Sequence, residues 1–168
     1  MGVEIERKFL VTNGGWRQPH PLHLIQGYLN LDPARTVRIR TDGVRAFLTV
    51  KGPTRGATRS EFEYAVPRPD AESLLALCAG ARIDKLRHVI AAGGARWEVD
   101  EFLGDNAGLV VAEIELASED QAFARPGWLG REVTDDARYY NSNLAQHPYR
   151  TWARAAIEPR PAPARPDR

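Results

Sequence analysis

Glu4, Glu6 and Lys8 are spaced two apart near the start of the chain, and charged residues recur at that spacing along most of its length. Arg38 with Arg40, Thr49 with Lys51, Arg59 with Glu61 and Glu63, Lys85 with Arg87, Glu98 with Asp100, and Glu113 with Glu115 repeat the arrangement. Successive side chains of a β-strand alternate between its two faces, so each set projects to one side. The positions between are mostly apolar, as in Val37 and Ile39, Leu48 and Val50, Phe62 and Tyr64, Trp97 and Val99, and Ile114 and Leu116. Paired carboxylates are hard oxygen donors suited to Mg²⁺ or Mn²⁺, whereas arginine and lysine suit phosphate oxygens. Side by side they imply both ligand classes at one site. A single set, taken alone, is what a solvated strand face looks like. Seven segments with the same one-sided charge argue for a shared charged interior.

Alternation predicts the strands that must position these groups, over 3–11, 24–30, 35–41, 44–51, 58–66, 81–90, 95–103 and 108–117. Turn signals such as Thr41-Asp42-Gly43, Lys51-Gly52-Pro53 and Ala92-Gly93-Gly94 separate them. A helix is expected over 70–79 with Asp70 as N-cap, a second from the capping-box spacing of Ser118 and Gln121, and a third from Thr134 to Ala145. The fold class is therefore mainly β: an eight-stranded antiparallel closed β-barrel with flanking helices. A barrel of about eight strands is the smallest that can hold a ligand inside. With the apolar side outward beneath the helices, the charged side lines the lumen, and burying that much charge is costly unless it is paired or met by ions.

The 168 residues, 43% hydrophobic and 27% charged, suit one domain over 1–156, and the Pro-rich stretch 157–168 reads as a disordered tail. Lys and Arg total 23 against 22 for Asp and Glu, so no net field recommends nucleic acid or an anionic membrane as partner. The first residues are charged and no apolar run reaches transmembrane length, so a cytoplasmic protein is expected. Cys78 is the single cysteine, which excludes an internal disulfide, and its apolar setting reads as a buried helical thiol. His20, His23, His88 and His147 show no paired metal-ligand spacing, and Trp97 and Trp128 read as packing residues.

The opening Glu4-Ile5-Glu6-Arg7-Lys8-Phe9-Leu10 resembles the ExExK signature of the CYTH superfamily, the triphosphate tunnel metalloenzymes. Gln26-Gly27-Tyr28-Leu29, Arg38-x-Arg40, Thr49-x-Lys51-Gly52, Arg59-x-Glu61-x-Glu63, Lys85-x-Arg87, Trp97-Glu98-Val99-Asp100, Glu113-x-Glu115 and Tyr139-Tyr140-Asn141-Ser142-Asn143-Leu144-Ala145 follow in the order that looks like its short bacterial branch. The resemblance covers residues 3 to about 150. It implies a tunnel that binds a small-molecule triphosphate with Mg²⁺ or Mn²⁺. By position, Glu4, Glu6, Glu61, Glu63, Asp100, Glu113 and Glu115 are then candidate metal ligands or their supports, and Lys8, Arg38, Arg40, Arg59, Lys85 and Arg87 the phosphate cradle.

Family activities include inorganic triphosphatase, thiamine triphosphatase and adenylate cyclase, so membership does not fix the substrate. Short loops and the Gln-Gly-Tyr-Leu segment favour hydrolysis of inorganic triphosphate to pyrophosphate and phosphate. A noncatalytic polyphosphate-binding module stays open, as does a homodimer. Lys51, set among other cations, is expected to have a lowered pKa and to assist Tyr28 in activating water, with Lys85 as a third catalytic candidate. Activation of water by metal is the alternative, and it leaves the Lys51 and Tyr28 pair without that task.

Overall fold

The computed structural model describes residues 2–152, so the Pro-rich tail lies outside the described residues. The alternating segments form β1 (Gly2–Val11), β2 (Leu22–Asn30), β3 (Thr36–Thr41), β4 (Ala46–Lys51), β5 (Thr58–Val66), β6 (Ala79–Ala92), β7 (Ala95–Phe102) and β8 (Val110–Glu115). Their order around the sheet is β5-β4-β3-β2-β6-β7-β8-β1, and pairing of β1 with β5 closes the ring. Every pairing in the ring is antiparallel.

A ninth strand, β9 (Leu129–Glu132), was not expected from the sequence. It takes the edge of β1 beyond β5, setting Glu132 opposite Phe9 and Leu129 opposite Val11. At four residues it is too short for a periodic signal.

The helices are shorter than the sequence suggests. Between β5 and β6, α1 spans Arg68–Ala76 with Pro67 at the N-cap; Asp70, expected there, sits inside the first turn. Cys78 lies just past the helix end, half-buried, and its thiol donates to the carbonyl of Leu74 at 3.3 Å. The Ser118 and Gln121 spacing makes a turn and no helix: the Gln121 amide oxygen accepts from the Ala117 N–H and the Ser118 hydroxyl donates to Asp120. Pro126 follows too closely for a helix to grow, because it excludes the helical conformation from the residue before it. The expected helix over 134–145 is broken into a 3₁₀ turn at Ala137–Tyr139 and a single turn α2 (Asn141–Leu144), with Tyr140 extended between them. Asp135, Asp136, Asn141, Ser142 and Asn143 fall in that stretch, and such side chains compete with helical backbone bonds.

Outside the barrel, α1 packs over β2, β3 and β4 through Ile39, Ala46, Ala71 and Leu75. Gly27 makes that approach possible, since a Cβ there would lie 2.7 Å from the Cys78 sulfur. Over β1, β7 and β8 the cover is aromatic instead of helical: Phe9, Trp16, Trp97 and Trp128 form one buried cluster joined by Phe123. Trp97 meets Trp128 edge-on at 5.5 Å and Phe9 at 5.9 Å, contacts worth about 0.5–1.5 kcal/mol each beyond area burial. Phe62 and Tyr64 on the outer face of β5 stay exposed.

One end of the lumen is stoppered. Inward positions Tyr28, Ile83, Phe102 and Val111 meet Val133, Tyr139, Leu144 and Ala145, which the chain brings across that end after β9. The charged positions lie below this apolar plug.

Candidate active site

The register places the charged sets side by side around the ring. Glu4 faces Arg59, Lys51 faces Glu61, Thr49 faces both Arg38 and Glu63, Arg87 faces Asp100, and Glu113 faces both Lys8 and Glu98. All of them except Thr49 and Asp100 border a single cavity of about 710 Å³, together with Glu6, Arg40, Lys85 and Glu115. Thr49 and Asp100 are fully buried in its wall. Tyr28, Thr134, Tyr140, Asn141 and Ser142 also line it.

Almost every lumen charge has a partner. Lys51 bridges Glu4 at 2.9 Å and Glu61 at 2.5 Å, and Arg59 Nε donates to Glu4 at 2.6 Å. Arg38 and Arg40 share Glu63, each at 3.2 Å, and Thr49 joins them by accepting from Arg38 and donating to Glu63. Lys8 donates to Glu6 and, at 2.5 Å, to Glu113. Arg87 reaches Glu98, Asp100 and Glu113. Lys85 meets Asp100 at 2.5 Å and Asn141 at 3.3 Å.

Two polar atoms break this pattern of mutual satisfaction. Among the described residues, the Nε of Arg38 and the amide oxygen of Gln26 are buried without a hydrogen-bond partner. A buried guanidinium N–H is costly to leave unmade, so an acceptor from a ligand would relieve it. Glu115 is the third exception, the lumen carboxylate with no ion pair among the described residues. Burial and repulsion from Glu4, Glu61, Glu6 and Glu98 push its carboxyl above the usual range.

Elsewhere the fields act in the expected direction. Burial opposes ionisation of Glu113, but Lys8, Arg87 and Lys85 hold its carboxyl well below the ordinary value. Burial lowers Lys85 to about 8 against the pull of Asp100. Lys51 is lowered as the sequence suggests, with burial the larger cause and Arg38 next. Burial raises the phenol of Tyr28. No hydrogen bond joins Tyr28 to Lys51 among the described residues: the phenol accepts from Gln26 at 3.1 Å, while Lys51 is held by Glu4 and Glu61.

For a metal, the donor chemistry fits. The cavity lining offers carboxylates with no cysteine or histidine, a hard oxygen set suited to Mg²⁺ or Mn²⁺. Four carboxylates crowd Glu115, so a cation there would remove a standing repulsion. Among the described residues no three acidic groups already converge as a preformed centre, because most of them hold lysine or arginine. Glu98, Thr49, Gln26 and Asn141 are site residues the sequence reading did not single out for a role. Glu98 and Gln26 share strand faces with Asp100 and Tyr28, which was signal enough; Asn141 arrives through the chain's return across the plug, which no spacing reveals.

The CYTH domain family matches residues 2–149, which carry every one of these strands. The chain belongs to the CYTH family. It is 46% identical over 154 residues to an inorganic triphosphatase of Acetivibrio thermocellus, covering 90% of this chain and 99% of that protein. It is 39% identical over 148 residues to an inorganic triphosphatase of Nitrosomonas europaea, covering 85% and 97%. A crystal structure of an inorganic triphosphatase superposes with a TM-score of 0.63 at 37% identity, covering 86% of this chain and 95% of that one. Within the CYTH fold, the charged ring described here is the interior of the barrel.

Proposed function

We propose that the CYTH barrel of this chain hydrolyses inorganic triphosphate to pyrophosphate and phosphate with the help of Mg²⁺ or Mn²⁺. The observation that carries this reading is the buried, unpartnered Arg38 Nε in a cavity bordered by Lys8, Arg40, Lys51, Arg59, Lys85 and Arg87. Hydrolysis at the relatives with which the chain shares 46% and 39% identity supports it.

Phosphoryl transfer asks mainly for positioning and charge neutralisation. The cations hold the phosphates in line along the lumen, and the phosphate oxygens replace carboxylates as their partners. The acids so released, Glu4 and Glu6 foremost with Glu61, Glu63 and Glu113 beside them, would hold the metal together with the unpaired Glu115. The metal, when bound, neutralises phosphate charge and lowers the pKa of water. The apolar plug keeps bulk water from one end of the cavity.

The chain's likeness to both inorganic triphosphatases favours inorganic triphosphate over a nucleotide substrate. Arg38→Ala, compared with Arg45→Ala at an exposed turn, tests the reading. Loss of one charge-assisted phosphate contact, about 1.5–3 kcal/mol, should raise KM for triphosphate by about 10- to 150-fold in the first variant and leave the second unchanged. Equal effects in both variants would show that the lumen does not bind the substrate.

A further inference from the structure

Asp100 differs from the other lumen carboxylates in how completely it is used. It is wholly buried, and Lys85 beside it is 1% exposed. Its Oδ1 accepts from Arg87 Nε at 2.7 Å, and its Oδ2 accepts from Arg87 Nη2 at 2.7 Å and Lys85 Nζ at 2.5 Å. The two Arg87 bonds make a bidentate fork, which fixes the plane of the guanidinium as well as its place. Three charge-assisted bonds take up most of the lone pairs of one carboxylate, and no solvent reaches the remainder.

We infer that Asp100 is a positioning residue for the phosphate-binding cations Lys85 and Arg87 and is not a metal ligand. It stands behind them in the wall, while Glu98 and Glu113 meet Arg87 from the lumen side as residues of the cavity lining. Phosphate and metal can draw Glu98 and Glu113 away from Arg87, whereas Asp100 stays where it is. One carboxylate between two cations leaves the trio with an unbalanced positive charge to offer a phosphate oxygen. Glu115 is the opposite case, exposed and without a cation.

This assignment rests on the function proposed above, and its test separates the two. Mn²⁺ affinity of the full-length protein is measured by titration calorimetry for the unaltered chain, Asp100→Asn and Glu115→Gln, and kcat and KM for triphosphate are measured at saturating Mn²⁺. A positioning role predicts Mn²⁺ affinity within about threefold of normal in Asp100→Asn, with KM for triphosphate raised about tenfold or more because the phosphate-binding cations it holds are displaced. Adding Asp100→Asn to a variant that already carries Lys85→Met and Arg87→Met should then cost less than about twofold further, because the aspartate acts through those two cations. Glu115→Gln should weaken Mn²⁺ binding. If Asp100→Asn does not fold, Asp100→Glu keeps the charge while displacing both cations, and the same pattern is expected of it. Loss of Mn²⁺ affinity matching that of Glu115→Gln, or full additivity with the Lys85→Met and Arg87→Met pair, would overturn the assignment. Failure of the proposed function shows in the unaltered protein; failure of this assignment shows only in the comparison of variants.

Discussion

Lys8 and Glu113 face each other across the β1 and β8 pair, with the ammonium nitrogen 2.5 Å from the carboxylate oxygen and both side chains buried. Glu6, two residues before Lys8, accepts a second hydrogen bond from the same ammonium. The same side chains that would grip phosphate and metal therefore hold each other when neither is bound. Ligand binding becomes an exchange of partners, which offsets part of the cost of burying charge.

Breaking the Lys8 pair should destabilise the metal-free protein. Glu113→Gln leaves a buried ammonium short of an anion, a change typically worth about 3–5 kcal/mol, so its melting temperature should fall at neutral pH. The sign reverses in acid. The folded-state pKa of Glu113 lies below its ordinary 4.5, so its contribution is present above that value and is lost as pH falls toward the depressed one. Melting curves from pH 7 downward should converge for variant and parent; parallel curves would remove the ion pair from the account.

Glu115 predicts the opposite. Its carboxyl is raised by burial and by four neighbouring acids, so above the raised pKa its charge opposes folding. Glu115→Gln should therefore raise the melting temperature of the chelator-treated protein while reducing the extra stability conferred by Mn²⁺. A variant that melts lower without metal and gains as much from Mn²⁺ as the parent would place the metal elsewhere.

Lys85 supplies a pH dependence. Burial lowers it to about 8, so in the free enzyme it is charged below that pH and neutral above it. Affinity for triphosphate should be full below about pH 8 and fall as pH rises through it. In Lys85→Met, KM should be high throughout and lack this alkaline limb. An unchanged limb in the variant would assign the titration to another group.

The sequence made the barrel and its inward charges legible because strand period is exactly what sorts Glu4, Glu6 and Lys8 from Ile5 and Arg7. Eight strands and their turns follow from the same period. The cover was less legible. Phe9, Trp97 and Trp128 are visibly apolar, yet nothing in their spacing says that an irregular segment through Phe123, and no helix, lies over them. Within the site, residue type and face were readable, but the division of labour was not. Asp100 and Glu115 look alike as acids at alternating positions; register alone puts one behind Arg87 and the other among carboxylates.

Tyr28 lines the cavity without a bond to Lys51. Its phenol is buried, raised in pKa and bonded to Gln26. Tyr28→Phe should keep kcat within about threefold of the parent at neutral and alkaline pH. A loss of about a hundredfold with KM unchanged would restore a part for it in activating water.

The central claim is that this lumen cleaves triphosphate and needs a divalent ion to do so. Its most direct test is to incubate the purified protein with inorganic triphosphate and Mg²⁺ or Mn²⁺, measuring phosphate and pyrophosphate together, with and without excess chelator. The account predicts equal release of the two products with metal and none with chelator. Absence of phosphate release with either metal, or undiminished release in chelator, would contradict it.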